Sequence, residues 1–211
     1  MFEYIKHILM IIDFEVLIKD YKENILNCYN MAKITCPKCG AKGRFHRHGF
    51  YVRNITHLSD DSSIIFEPIE ILRIKCTSCH STHSILPGDC IPFQVYSLPV
   101  VLFLCEQIII KKNSIRNTVQ KTKCAIQTIY KKIKTLKQSL ILIEFFFRQI
   151  NLYTVTSSMS LKEALSLLLL PTMKFSSYLH CHGHPIFLNR RITKPYPFYF
   201  AMVVSFFSNP T

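Results

Sequence analysis

The chain has 211 residues, 49% of them hydrophobic, so it can bury one core or two small ones and wholesale disorder is excluded. Its 26 Lys and Arg residues outnumber 13 Asp and Glu, which gives a net charge of +13 and favours nucleic acid as partner, with an anionic membrane surface second. The alternative explanation of the positive charge is a general Ile- and Lys-rich composition that implies no particular partner. No apolar run approaches the roughly 20 residues that are needed to span a bilayer.

Residues 1–32 are predicted to form an N-terminal strand or helix extension. Residues 11–17 alternate apolar and acidic residues, which is typical of a strand, although the apolar residues before them are spaced for one helical face. Asp13 and Glu15 interrupt the apolar run, so the segment does not resemble a signal peptide. We therefore expect a cytoplasmic protein with reduced cysteines.

Residues 33–92 carry two C-x-x-C pairs, Cys36/Cys39 and Cys76/Cys79. Two such pairs supply four thiolates, the full tetrahedral shell that a structural zinc ion requires. We therefore predict a zinc ribbon with one structural Zn²⁺ per chain. Strand-like segments at 50–55 and 69–74, separated by a polar turn at 59–63, predict a hairpin arm between the pairs.

Other readings of the cysteines and histidines are weaker. The string from Cys76 to His80 also matches a c-type haem attachment site, which would leave the first pair without a purpose. A thioredoxin-like site would need a βαβ pattern, which the sequence lacks. Four histidines near the cysteines are candidate substitute ligands or neighbours of the metal site: His46, His48, His80 and His83. A second cluster, His180–His184, is interpreted as adventitious.

Residues 93–145 are predicted to form a helix-turn-helix region after a buried helix that begins near Leu98. The pattern of residues 113–133 predicts a helix, a short turn and a second helix. Their shared apolar core is predicted at Ile115, Val119, Cys124, Ile129 and Ile133. A plain packing hairpin would show the same pattern. We predict that seven side chains contact DNA: Arg116, Lys123, Gln127, Thr128, Tyr130, Lys131 and Lys134.

The charge in this region has one sign. Between Gln107 and Ser139 the sequence contains no Asp or Glu, but it contains nine basic residues: Lys111, Lys112, Arg116, Lys121, Lys123, Lys131, Lys132, Lys134 and Lys137. A solvated helix face normally interleaves both signs. The stretch is therefore predicted to face phosphate groups.

Acidic residues are scarce in the second half of the chain. After Asp89 only Glu106, Glu144 and Glu163 remain, which is too few for a two-metal nuclease site on a sizeable domain, and no Asp is left for Ser/His/Asp chemistry. The chain is therefore predicted not to be an enzyme.

The ribbon resembles a bacterial zinc-ribbon family of uncharacterised function. The residues that carry the likeness are the first cysteine pair with Gly40, the run Arg44–Arg53, the run Arg73–Cys79, and the Leu86-Pro87 and Ile91–Ser97 segments. Members of that family are similar to the N-terminal DNA-binding regions of insertion-sequence transposases. The resemblance covers roughly residues 10–140. It implies that the four cysteines bind zinc and that the helix from Ala125 binds DNA.

The expected fold class is α+β, a small β zinc ribbon followed by an α-helical region. Residues 146–211 are predicted to be a poorly defined tail, interpreted as a degenerate remnant, and the catalytic domain of full transposases is not expected. The expected partners are DNA and a separate transposase or transcription subunit, with the oligomeric state open. The alternative function is a protein-interaction module that docks on an acidic partner such as the transcription machinery. A membrane-surface protein is a weaker alternative.

Overall fold

The computed structural model describes residues 10–13, 16–24, 30–91, 93–149, 153 and 157–170, and its fold is α+β, as expected. Contacts divide the chain into two compact units. Of the described residues, the sheet unit comprises those up to Thr56 and those of Phe66–Val95, and the helical unit comprises those of His57–Ile65 and those from Tyr96 onward.

Four strands form one sheet in the order β1-β4-β3-β2. They are β1 Met10–Asp13, β2 Phe45–Leu58, β3 Ile64–Cys76 and β4 Thr82–Pro87. The strands β2, β3 and β4 are antiparallel, whereas β1 pairs with β4 in parallel, with Met10 opposite Ser84. The long hairpin β2–β3 separates the two cysteine pairs in sequence, and its turn at 59–63 lies where the polar residues predicted it.

Neighbouring residues of β3 and β4 point to opposite faces of the sheet. Apolar side chains therefore lie on both faces, and other residues cover each face. On one face, Ile71 and Leu86 pack with Ile18 and Tyr21 of helix α1, Ile18–Asn24. On the other face, the buried side chains of β3 and β4 are Leu72, Ile74 and Ile85. They are covered by the partly buried residues Met31 and Ile34, in and beside the short 3₁₀-helix Met31–Lys33, and by Phe45 at the start of β2.

Tyr21 is fully buried, and its hydroxyl connects two strands. The β3–β4 register pairs Arg73 with Ser84. At the next position the Tyr21 hydroxyl accepts a hydrogen bond from the Leu72 N–H at 2.7 Å and donates one to the Ile85 carbonyl at 3.0 Å. The phenol therefore satisfies two buried backbone groups, which would otherwise cost free energy.

Asp89 closes the sheet unit at the end of β4. Its buried carboxylate accepts a hydrogen bond from the Ile18 N–H at 3.1 Å, at the start of α1. Burial raises the pKa of Asp89 to about 7, although the Asp89 and Ile18 N–H groups act in the opposite direction. The contact therefore anchors α1 to the strand end at the cost of a buried carboxylate.

The described part of the helical unit contains five helices: α2 Leu98–Ile109, α3 Ile115–Thr122, α4 Ile126–Gln138, α5 Leu140–Gln149 and α6 Leu161–Leu168. Local sequence sets several of their starts. Pro99 lies in the first turn of α2, the Ser114 side chain caps α3, and Ser160 with Glu163 forms a capping box on α6.

The five predicted core residues of the α3–α4 region all lie in one apolar cluster. Cys124 and Ile129 are buried in it with Val100 and Leu104 of α2, while Ile115, Val119 and Ile133 are partly buried against it. Leu58 and Ile64, from the ends of the hairpin strands that belong to this unit, pack on the same cluster.

Within the ranges that the structure describes, no helix is both long enough and apolar enough to cross a bilayer. The sequence-predicted His180–His184 cluster and most of the predicted tail lie outside the described residues.

Candidate metal centre and nucleic-acid interface

The two cysteine pairs lie on turns with matching backbone hydrogen bonds. In the first turn the Cys36 N–H donates to Ala41 and the Gly40 N–H donates to Cys36, both at 2.9 Å. In the second turn the Cys76 N–H donates to Ser81 and the His80 N–H donates to Cys76, again at 2.9 Å. Gly40 and His80 both have positive φ, at 75° and 57°. The same turn is therefore built twice, once with glycine and once with histidine.

The four sulfur atoms, from Cys36, Cys39, Cys76 and Cys79, lie within 4.8 Å of one another. Two distances across the cluster are 3.7 Å, between the Sγ atoms of Cys36 and Cys79, and 3.8 Å, between those of Cys39 and Cys76. A tetrahedral ion with metal–sulfur bonds of about 2.3 Å separates its ligands by about 3.8 Å. The donor set and its spacing therefore fit a tetrahedral metal site, and the hairpin between the pairs brings the two turns together.

The second turn favours thiolates. For Cys76 and Cys79 burial opposes ionisation, but hydrogen bonds outweigh it. The Cys79 and Ser78 N–H groups lower the pKa of Cys76, and the hydroxyl and N–H of Ser81 help to lower the pKa of Cys79 to about 6. Burial instead raises the pKa of Cys36 to about 12. Cys36 is also the buried cysteine of the first turn, whereas Cys39 is exposed.

His83 is the histidine that contacts the sulfur cluster. Its fully buried ring on β4 places Nε2 at 3.3 Å from the Cys36 Sγ atom, and Nδ1 has no hydrogen-bond partner among the described residues. Burial, with a smaller contribution from the Lys38 charge, lowers the pKa of His83, so the ring is neutral near pH 7. A neutral ring that carries its proton on Nε2 can donate to the Cys36 sulfur.

The other three candidate histidines are exposed. His80 forms the left-handed position of the second turn, and His46 and His48 lie on β2 with their rings edge to face, 6.5 Å between centroids. Sequence spacing could not show which of the four histidines contacts the cysteines, because the packing of the sheet determines which strand residue is buried.

In the helical unit, α3 and α4 are joined by residues 123–125, with Lys123 in the left-handed conformation at φ 56°. Thr122 stabilises the connection, since its hydroxyl accepts a hydrogen bond from the Cys124 N–H at 3.3 Å. Ala125 precedes α4 and provides no side-chain cap. The helix-short turn-helix order predicted for 113–133 is therefore present.

Six of the seven residues predicted to contact DNA are exposed, and Thr128 is half-buried. Tyr130, Lys131 and Lys134 line one surface depression on α4 with Thr135 and Gln138, and Gln127 lies one turn before Lys131. Arg116 is in the first turn of α3 and Lys123 in the connection, and neither lines this depression. The Thr128 side chain forms a hydrogen bond with the Tyr96 side chain, and this hydrogen bond directs Thr128 toward the protein.

Lys132 departs from the prediction that the whole basic stretch faces phosphate. It is buried, with 6% of its surface exposed, and its ammonium group lies 5.5 Å from the centroid of the Tyr96 ring. Burial and the Lys131 charge lower the pKa of Lys132 to about 8, while Cys105 and Cys124 act in the opposite direction. Charge alone could not reveal this, because Lys131 and Lys132 are neighbours that the helix turns to different faces.

The three acidic residues that follow Asp89 in the sequence have local structural partners. Glu106 pairs with Lys111 at 3.2 Å, Glu144 accepts from Arg148 at 2.7 Å and from the Met159 N–H at 3.1 Å, and Glu163 closes the capping box of α6. Each carboxylate therefore supports a helix or a helix connection.

Residues 36–136 match the model of a family described as a domain of unknown function (DUF6431). The match begins at the first cysteine of the metal-compatible cluster and ends within α4, so it includes all four cysteines and the exposed face of α4 up to Lys134. This match confirms that the chain contains a domain of uncharacterised function, while the zinc-ribbon character and the likeness to transposase N-terminal regions stay predictions. No curated protein and no solved structure matches the chain.

Proposed function

We propose that this protein is a zinc-stabilised, non-enzymatic DNA-binding protein. Cys36, Cys39, Cys76 and Cys79 hold one Zn²⁺, and α3 with α4 acts as a helix-turn-helix whose second helix contacts duplex DNA. The observation that carries the proposal is the division of α4 into two faces. Ile129 and Leu136 are buried, whereas Lys131 and Lys134 are exposed and belong to a stretch of sequence without acidic residues.

The metal has a structural role in this proposal. Four thiolates complete a tetrahedral shell and leave no open position for a substrate. Bound Zn²⁺ supplies the cross-link between the two turns, and the turns position their sulfurs through the repeated backbone hydrogen bonds. Because a tetrahedral sulfur site also accepts iron, metal analysis must identify the ion.

The exposed face of α4 offers two kinds of DNA contact. Lys131 and Lys134 supply charge for phosphates, which gives affinity without sequence information. Gln127, in the first turn, is an amide side chain of the kind that pairs with adenine edges in the major groove. Since Ala125 provides no side-chain cap, the N–H groups of Ile126 and Gln127 are also suited to a phosphate, whereas the Thr128 N–H donates to the Ala125 carbonyl.

The sequence resemblance to the N-terminal regions of insertion-sequence transposases suggests where such a protein acts. We propose that it recognises DNA as the transposase regions do, without catalysing strand transfer, and works with a separate transposase or transcription subunit. The structural partners of Glu106, Glu144 and Glu163 support a role without catalytic carboxylates.

Metal analysis of the purified protein, combined with selection from random duplex DNA, tests the proposal. We expect one zinc per chain and an enriched sequence motif. One zinc without enrichment would retain the metal centre and reject sequence-specific recognition by α4.

Substitutions on α4 test the assignment of the helix. Lys131→Ala should weaken binding to all sequences and reduce the slope of log K against log salt by about 0.9, which corresponds to one phosphate contact. Gln127→Ala should relax the preference at one base position, a discrimination of about 1–3 kcal/mol. Lys162→Ala is the matched control, because Lys162 is exposed in the same unit on α6. Equal effects of Lys131→Ala and Lys162→Ala would contradict the assignment.

A protein-docking module is the second candidate function. It is favoured by exposed apolar side chains on α5, where Ile141 is 81% and Phe145 42% exposed, one turn apart. A docking module would leave duplex DNA unbound even at about 50 mM salt, whereas a DNA-binding protein loses affinity steeply between about 50 and 200 mM salt.

A further inference from the structure

A second basic stretch of sequence lies in the sheet unit, whereas the residues assigned to duplex recognition belong to the helical unit. From Met31 to Ser59 the sequence contains no Asp or Glu but contains six Lys and Arg residues: Lys33, Lys38, Lys42, Arg44, Arg47 and Arg53. Arg53 is engaged in the sheet unit, where its guanidinium donates to the Ile91 carbonyl at 3.0 Å and to the Gln94 carbonyl. Lys42, Arg44 and Arg47 are exposed.

The strand β2 carries exposed rings that are close in sequence to these charges. It lies at one edge of the sheet. His46 and His48 are exposed, Phe50 is 43% exposed and Val52 is 64% exposed. Gly49 lies between the basic and apolar positions and has φ 116°, a backbone conformation that residues with side chains rarely adopt. The β2 surface, defined here as Lys42–Val52, is therefore basic, aromatic and extended.

We propose that the β2 surface binds single-stranded nucleic acid. Such sites combine cationic side chains that follow the phosphate backbone with rings on which unpaired bases stack. Arg44 and Arg47 supply the charges, and Phe50 supplies a stacking face that has no polar atom to satisfy. His46 and His48 add two further exposed rings. Charge complementarity selects a polyanion, and the exposed phenylalanine favours unpaired bases over a duplex, whose bases are already stacked.

The site is independent of the proposed contacts of α4 with duplex DNA. Phe50, Arg44 and Arg47 belong to the sheet unit, whereas Lys131 and Lys134 belong to the helical unit. The two sites should therefore respond separately to substitution, and each proposal can fail without the other.

Fluorescence anisotropy of the zinc-loaded full chain with a dT20 oligonucleotide and with a 20-base-pair duplex tests the inference. Arg44→Ala with Arg47→Ala should reduce the salt slope for dT20 by about 1.4, two single-strand phosphate contacts. Phe50→Ala should weaken dT20 binding about 10-fold through loss of one base stack. Neither change should alter duplex binding more than twofold, and Lys131→Ala with Lys134→Ala should show the reverse pattern.

Controls separate folding from binding. Metal content and far-UV circular dichroism of each variant should equal those of the wild type, and Lys19→Ala, an exposed α1 lysine of the same unit, should leave dT20 binding unchanged. Absence of dT20 binding at 50 mM salt would overturn the inference. The inference would also be overturned if dT20 binding were weakened by the α4 variant alone. Equally tight binding of a poly-glutamate peptide at the β2 surface would overturn it as well and would indicate an acidic protein partner.

Discussion

The two units hold their backbones together in different ways. In the sheet unit, single polar side chains fix key positions: the Tyr21 hydroxyl bridges β3 and β4, Asp89 anchors α1, and four sulfurs converge between two turns. In the helical unit, apolar side chains of α2, α3 and α4 interdigitate around Ile129. Stability should therefore depend on these individual polar atoms as well as on apolar packing in the sheet unit, and mainly on buried volume in the helical unit.

Loss of one sulfur should have the largest effect. Cys76→Ser is expected to abolish metal retention and unfold the two turns, because metal binding and folding of such sites are coupled. Cys105→Ala, which removes a buried cysteine of α2, should keep the metal. Metal analysis and residue-level hydrogen exchange on the full chain would detect the difference. Equal metal content in both variants would contradict the four-cysteine assignment.

Asp89→Asn should stabilise the protein in a pH-dependent manner. The folded pKa of about 7 lies above the ordinary value near 3.9, so the folded state binds the proton more tightly and stability falls as pH rises from about 4 to about 7. The amide keeps an oxygen acceptor for the Ile18 N–H and carries no charge. The gain should grow from about 1–2 kcal/mol at pH 5 to as much as about 4 kcal/mol above pH 7. Urea unfolding at both pH values measures it, and a pH-independent gain would rule out ionisation of Asp89 as the cause.

Ile129→Ala tests the helical unit. The side chain is fully buried between α2 and α4, so its truncation should cost about 2–5 kcal/mol, while Ile129→Val should cost about 0.5–1.5 kcal/mol. Metal content should not change. A cost for Ile129→Ala as small as that of a surface substitution would show that the cluster is loosely packed.

Tyr21→Phe removes one oxygen and leaves the ring in place. The Leu72 N–H and the Ile85 carbonyl then lose their common partner, and we expect a loss of about 2 kcal/mol. Amide exchange of Leu72 should accelerate more than that of residues in α4. Unchanged protection at Leu72 would mean that the strands close on each other without the phenol.

The two cysteine turns allow the finest comparison. His80→Gly relieves a left-handed residue and should stabilise the metal-loaded protein by less than about 1 kcal/mol, because glycine also increases the freedom of the unfolded chain. Gly40→Ala, with φ 75° and no atom within 4 Å of the added methyl, should destabilise by about 1 kcal/mol through backbone strain alone. Thermal unfolding under excess zinc would compare them, and changes of equal sign would show that the turns are not equivalent.

Short-range sequence patterns predicted the local features of this protein. The C-x-x-C spacing determined the cysteine cluster, since two pairs on tight turns need only face each other. The polar turn at 59–63 and the apolar spacing of 115–133 determined the hairpin and the α3–α4 pair, because both signals are local in the chain.

Three further features depend on tertiary structure. Of the four candidate histidines, His83 is the one that contacts Cys36. Lys132 is buried although its neighbour Lys131 is exposed. The Tyr21 hydroxyl bonds backbone groups of two strands that are more than fifty residues away in sequence. Each of these outcomes depends on which side chains meet across elements. Composition and periodicity describe one element at a time, whereas burial and its electrostatic cost arise only where two elements pack together.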